Sequence, residues 1–356
     1  MTRILIVKTA ALGDVLRTTS ILPGLLERYQ DAQITWVTAL GAEPLVAAHP
    51  AVAQVVTVDP SSQDSLDAAA ARLGNASFDL VLSFDDEAPI CRFASRIPAR
   101  ARSGAFLDAA GRRVYTDDVE PWFGMGLLAR DGKHAADARK RANTRSHQEL
   151  FAAMLGVRPG RPELPLSAEV LAHAAARLDA VTRRARGPIV GLNTGAGGRW
   201  PTKAIPPERC VELVLELHRR RAGAISFALL GGAEEAARNA KIHALLAAAA
   251  PRPDFVDTGC ANGIPEFAAL VSGCDLVVTS DSLGMHIAIA RRVPVVAFFA
   301  PTSAAEIELF GAGEKVISTA PDYCSYRSDA DNSSITVERL AAACERVLAL
   351  RAVTRS

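Results

Sequence analysis

Short apolar runs rich in Ile, Val and Leu alternate with longer amphipathic stretches along most of the chain, a rhythm that predicts parallel α/β units. In the first half the runs Ile4–Val7, Ile34–Val37, Val55–Val58 and Leu80–Phe84 read as strands. Between the first two, Val15 to Tyr29 reads as a helix with Leu22, Leu25 and Leu26 on one face, and Pro23-Gly24 inside it predicts a kink. The second half repeats the pattern. Strands are expected at Ile189–Asn193, Ile225–Leu230, Leu276–Thr279 and Val295–Phe299, and helices at Pro207–Arg221, Ala233–Ala249 and Pro265–Ser272.

The run Arg158-Pro159-Gly160-Arg161-Pro162-Glu163-Leu164-Pro165 suits neither a helix nor a central strand. A helical stretch from Ser167 to Arg186 follows, and Gly187-Pro188 launches the next strand. The expected architecture is α/β, with two Rossmann-like, doubly wound domains over residues 1–165 and 166–356 facing across a cleft. Ligands of open α/β sheets bind outside the carboxyl ends of the strands, so the loops after each strand should carry the chemistry.

Composition narrows the classes. At 356 residues the chain is long for one core, and 49% hydrophobic with 22% charged residues is globular. A formal net charge of +1 gives no reason to expect a nucleic-acid partner. No apolar stretch is long enough for a signal-peptide core or a bilayer span, so a cytoplasmic protein is expected. The six cysteines contain no C-x-x-C pair and read as buried free thiols rather than a zinc site or disulfide framework. Between Arg92 and Arg145, twelve Arg or Lys face six acids, a surplus of six. That segment is either a solvated face with ordinary ion pairs or a surface for an anionic acceptor or membrane headgroups.

Four loops hold candidate chemistry. After the first strand, Lys8-Thr9-Ala10-Ala11-Leu12-Gly13-Asp14 offers Asp14 as a helix N-cap or as a general base taking the proton of an attacking hydroxyl. One glycine here is too few for a dinucleotide fingerprint. At the first strand of the second half, the run Gly191-Leu192-Asn193-Thr194-Gly195-Ala196-Gly197-Gly198-Arg199-Trp200-Pro201-Thr202-Lys203 is either a flexible turn or an anion site with a hydroxyl and two cations. Gly231-Gly232-Ala233-Glu234-Glu235 places acids where they suit a helix dipole or hold ribose hydroxyls. Thr279-Ser280-Asp281-Ser282-Leu283-Gly284-Met285-His286 joins a strand to a helix whose first N–H groups form a ready phosphate site. Asp281 stands just ahead of it, placed for sugar hydroxyls, and His286 is either part of that site or an interior histidine.

Taken in order, Ile4-Leu5-Ile6-Val7-Lys8 with Leu12-Gly13-Asp14, Leu229 to Glu235, and Cys274 to His286 with Pro301-Thr302-Ser303 resemble glycosyltransferase family 9, the ADP-heptose-dependent heptosyltransferases. The resemblance spans roughly Arg3 to Gly311 and implies a GT-B architecture and an inverting transfer that needs no metal and no cofactor. It makes Asp14 the base. It assigns Thr194, Arg199, Lys203 and the backbone of Gly284, Met285 and His286 to the donor phosphates, Glu235 to the ribose, and Asp281 and Ser282 to the transferred sugar. The implied donor is a nucleotide-diphosphate sugar, ADP-heptose. The implied acceptor is a glycan, a lipid-linked glycan such as lipopolysaccharide core, or another hydroxyl-bearing molecule, with peripheral contact at the inner membrane surface. Two departures stand out. Lys203-Ala204-Ile205-Pro206 replaces the usual Lys-Arg-Trp-Pro, and Ser282-Leu283-Gly284-Met285-His286 replaces Ser-Gly-Pro-Met-His. A GT-B nucleotide-sugar epimerase and a non-catalytic nucleotide-sugar-binding protein are the rival readings.

Overall fold

The computed structural model describes residues 1–74, 77–126, 131–182, 187–198 and 200–355, with side chains in residues 180–182 and 352–355 left aside. The chain divides into two compact units, Met1–Pro165 and Leu166–Ser356.

The first unit runs β1 (Arg3–Val7), α1 (Leu12–Thr18), α2 (Leu22–Arg28), β2 (Gln33–Ala39), β3 (Val52–Val58), α3 (Gln63–Leu73), β4 (Phe78–Ser83), α4 (Ala88–Arg96), β5 (Ala99–Leu107), β6 (Arg113–Tyr115), α5 (Glu120–Phe123), α6 (Gly132–Ala142) and α7 (His147–Leu155). Its sheet has the order β3-β2-β1-β4-β5-β6, and every pairing is parallel except the antiparallel β5–β6 edge. β1 is flanked by strands on both sides and covered on both faces, which is why Ile4 to Val7 is a continuous buried apolar run. The helix expected over Val15–Tyr29 is two helices joined by a 3₁₀ turn at Thr19–Ile21. Pro23 sits in the first turn of α2, where a missing N–H costs nothing.

The second unit runs α8 (Ala168–Thr182), β7 (Ile189–Asn193), α9 (Pro207–Arg220), β8 (Ser226–Leu230), α10 (Ala236–Ala247), β9 (Asp254–Asp257), α11 (Ile264–Ser272), β10 (Leu276–Ser280), α12 (Leu283–Ala290), β11 (Val295–Phe299), β12 (Gly313–Ile317) and α13 (Val337–Arg355). Its sheet, β12-β11-β10-β7-β8-β9, is parallel throughout. Val190, Leu192, Phe227, Leu229, Leu276 and Val278 pack against Leu213, Val214 and Leu217 of α9 and Leu340 and Cys344 of α13. In both sheets the parallel register brings the strand ends level, so the following loops share one edge. Among the described residues no helix is long and apolar enough to cross a membrane.

Candidate active site

In the first unit the register pairs Val7 with Ser83, so the residues just beyond β1 and β4 meet. Lys8 is buried there and forms an ion pair with Asp85, itself buried, while its ammonium also donates to the Ala10 carbonyl. The Thr9 hydroxyl donates to Asp85 Oδ2 at 2.7 Å, and the indole N–H of Trp36 donates to the Lys8 carbonyl at 3.3 Å. Burial alone would pull the Lys8 pKa down, but the carboxylates of Asp85 and Asp14 outweigh it and hold it above the ordinary lysine value. The loop leading into α1 is thus clamped from the neighbouring strand.

Asp14 lies on the first turn of α1, but it is not the cap. That position belongs to Ala11, whose backbone is extended and which has no side chain able to accept the orphan N–H groups. Asp14 instead pairs with Arg17, one turn on, at 2.9 Å. The guanidinium is 4.9 Å above the Trp122 ring, and the Arg17 side chain is only 8% exposed against 36% for Asp14. Asp14 therefore keeps a solvent-accessible carboxylate beside a buried cation.

In the second unit, β7 and β10 are neighbours, which sets Asn193 beside Thr279 and brings three of the candidate loops together. Lys203 Nζ donates to the Asp281 carbonyl at 2.7 Å and pairs with Asp281 Oδ2 at 2.9 Å. On the other oxygen, Asp281 Oδ1 lies 3.7 Å from His286 Nε2. Burial by itself would raise the Asp281 pKa, but Lys203 and His286 overcome it and hold the carboxyl far below the usual carboxylate range. Lys203 and Asp281, assigned from the sequence to different parts of a donor, touch each other.

Glu235 ties two loops together: its Oε2 accepts from the Gly232 N–H at 2.9 Å and its Oε1 from the Gly197 N–H at 3.4 Å. A Cβ on Gly195 would stand 2.1 Å from Glu235 Oε1, so any side chain there would push Glu235 out of this position. Thr194 is buried and its hydroxyl donates inward to Asn239 Oδ1 at 2.5 Å. At the start of α12, Gly284, Met285 and His286 are buried. The N–H groups of Leu283, Gly284 and Met285 meet no acceptor among the described residues. Ser282, the cap residue, makes no capping bond, because its hydroxyl is turned to Thr279 and Asn193 at 3.0 Å each. Arg199 lies outside the described residues.

A family model described as glycosyltransferase family 9 (heptosyltransferase) matches residues 69–335. The chain belongs to this glycosyltransferase family. Three solved structures share the fold of the family 9 chain. A family 9 glycosyltransferase from Veillonella parvula is 19% identical, with 98% of this chain and 97% of that one covered at a TM-score of 0.76. The E. coli ADP-heptose lps heptosyltransferase II is 18% identical, with 99% of each chain covered at 0.65. E. coli heptosyltransferase WaaC with ADP-2-deoxy-2-fluoro heptose is 20% identical, with 97% and 99% covered at 0.60. No curated protein sequence matches the chain. The α/β class and the GT-B fold expected from the sequence agree with these structures.

Sequence reasoning gave no role to Asp85 and Asn193, buried at or just beyond a strand end, or to Asn239, buried on α10. A polar residue at the end of an apolar strand was the one signal for Asp85 and Asn193, and every such loop shows it; Asn239, inside a helix, carried none. The cations of the Arg92–Arg145 segment are extensively paired. Arg100 meets Asp79 at 3.4 Å, Arg112 meets Asp108 at 2.8 Å, and Arg139 meets Glu120 at 2.9 Å and Asp131 at 2.7 Å. Lys133 and Lys140 share Asp137, Arg96 pairs with Asp67, and Arg130 lies outside the described residues. The cysteines among the described residues are free, and burial pushes the Cys91 and Cys274 thiols up to about 12, which leaves them protonated and unreactive at neutral pH. Among the described residues no group of three or more His, Cys, Asp or Glu side chains could hold a metal ion.

Proposed function

We propose that this glycosyltransferase carries out an inverting, metal-independent transfer of a heptose from ADP-heptose to a hydroxyl of a glycan, lipopolysaccharide core being the leading candidate. The observation that carries the reading is the open start of α12, with unanswered N–H groups beside the Lys203–Asp281–His286 cluster, in a family 9 chain. The donor's diphosphate lies against the N–H groups of Gly284 and Met285, where the helix end supplies positive potential. Lys203, and Arg199 with it, adds the charge that stabilises the leaving group as the anomeric C–O bond breaks. Asp281, with Ser282 beside it, accepts hydroxyls of the transferred sugar. Glu235 and the loop it braces hold the ribose, and Thr194 supports that loop from below through Asn239. As the acceptor oxygen attacks the anomeric carbon from the opposite face, Asp14, paired with Arg17, takes its proton. The electron pair of the broken bond stays on ADP. The first domain takes the acceptor and the second the donor. Cations of the Arg92–Arg145 segment left over from internal pairing draw in an anionic acceptor or the cytoplasmic face of the inner membrane.

The test is a thermal-shift panel of nucleoside diphosphates and nucleotide sugars, followed by turnover assays with and without EDTA. ADP and ADP-heptose should raise the melting temperature most, because a ligand at a hundred times its Kd adds about 2.7 kcal/mol. Transfer to a core-glycan acceptor should then persist in EDTA. Preference for a uridine or guanosine diphosphate would overturn the donor assignment. Loss of transfer on chelation with recovery by magnesium would overturn the mechanism. Conversion of the donor to an epimerised sugar without acceptor would make the protein an epimerase.

A further inference from the structure

We infer that Asn193 is a positioning residue for the donor diphosphate, acting by keeping the start of α12 uncapped; this rests on the reading that the diphosphate binds there. A serine at the cap position of a helix ordinarily turns its oxygen towards the second or third N–H of the helix, here Gly284 or Met285. Ser282 has the extended backbone a cap residue needs, φ −148° and ψ 173°, yet makes no such bond. Its hydroxyl is held elsewhere. Asn193 Nδ2 shares its two hydrogens among Ser282 Oγ at 3.0 Å, Thr279 Oγ1 at 2.9 Å and the Gly195 carbonyl at 3.1 Å, and Thr279 and Ser282 share a hydroxyl contact of 3.0 Å.

Asn193 is itself fixed. It ends β7, is 8% exposed, and its amide packs against Gly284. A Cβ at position 284 would stand 2.7 Å from Asn193 Nδ2 and 2.8 Å from Cγ, closer than packed atoms come. Residue 284 is therefore glycine for a reason its own helix does not supply: the space over its Cα belongs to Asn193. The amide does two things at once. It ties the loop after β7 to the loop after β10, and it withholds from the helix the oxygen that would satisfy its orphan N–H groups. A donor phosphate then binds without first displacing an intramolecular bond.

The experiment compares the full-length protein with Asn193→Ala, Asn193→Ala/Ser282→Ala and Gly284→Ala. Calorimetric titration uses ADP, UDP, GDP and inorganic pyrophosphate, and NMR measures amide exchange at positions 284 and 285 without ligand. Without Asn193, and with the Thr279 hydroxyl as its one remaining partner among the described residues, Ser282 should turn to cap the helix. Amide exchange at Met285 should slow, and affinity for the best of these anions should fall about tenfold, the worth of one capping bond. Adding Ser282→Ala should restore both, since no oxygen remains to cap. A merely structural role for Asn193 predicts the reverse, with the double variant at least as weak as the single. Gly284→Ala, which displaces the amide without deleting it, should resemble Asn193→Ala and covers the case in which that variant fails to fold. Unchanged exchange and affinity in Asn193→Ala, or no recovery in the double variant, would overturn the inference. If none of the anions binds the wild type, the donor reading fails, and the exchange measurement still decides whether Asn193 controls the cap.

Discussion

Asp14→Asn separates chemistry from structure in the first unit. A general base contributes about 10²–10⁴-fold to turnover, roughly 3–5 kcal/mol of barrier. Asparagine has almost the same shape but cannot take a proton, so kcat should fall by that factor while ADP affinity is unchanged. The stability cost follows from the Arg17 pair. Arg17 is nearly buried and Asp14 a third exposed, so the pair lies between an exposed ion pair worth about 0–1 kcal/mol and a buried one whose breaking costs about 3–5. The asparagine carbonyl can still accept from Arg17, and the Trp122 face still covers the guanidinium, which places the loss at about 1–2 kcal/mol. For a unit of this size that is a drop of roughly 2–8 °C in Tm, too little to unfold the variant at 25 °C. The assay is single-turnover transfer from ADP-heptose, with calorimetric ADP binding and a melting curve on the same preparation. Turnover within threefold of wild type would remove Asp14 as the base. A parallel loss of ADP affinity would mean that the effect is not confined to the proton transfer.

Further outcomes are expected. Asp85→Asn removes the ion-pair partner of the buried Lys8 and should cost about 3–5 kcal/mol, read from tryptophan fluorescence in urea. Lys8→Met/Asp85→Leu should recover most of it, and a double variant as unstable as the single would show that charge pairing is not what holds this loop. Because the folded Asp281 carboxyl lies far below its unfolded value, its stabilisation is present at neutral pH and lost as pH falls below about 4. The stability gap between wild type and Asp281→Asn should therefore narrow in acid, and a gap independent of pH would contradict that. Arg141→Glu and added salt should both raise acceptor KM with little effect on ADP binding. Arg141 is the better site than Arg139, whose reversal would also break its pairs with Glu120 and Asp131. If neither perturbation moves KM, an uncharged acceptor replaces the anionic one.

Amino-acid order by itself determined the two repeats of strand and helix and the α/β class. Parallel strands covered on both faces must be continuously apolar, and Ile4–Val7 and Val295–Phe299 declare themselves that way. The position of polar residues directly after such strands likewise disclosed the four loops, two of them glycine-rich. Edge elements were less legible. β5, with Arg100 and Arg102 exposed in its first half, reads as a charged stretch until its pairing with β4 is seen. Of the two roles open to Asp14, cap or base, the sequence could not exclude the cap, since a one-dimensional reading cannot say which residue turns extended before a helix; Ala11 does. Only the tertiary structure decided the pairings Lys8–Asp85, Lys203–Asp281 and Asn193–Ser282, which join residues 77, 78 and 89 positions apart. The physical reason is that sheet register, set by the packing of whole strands, brings loop ends together. Buried charges and amides then take whichever partner the register supplies, because leaving them unpaired costs more than any local preference.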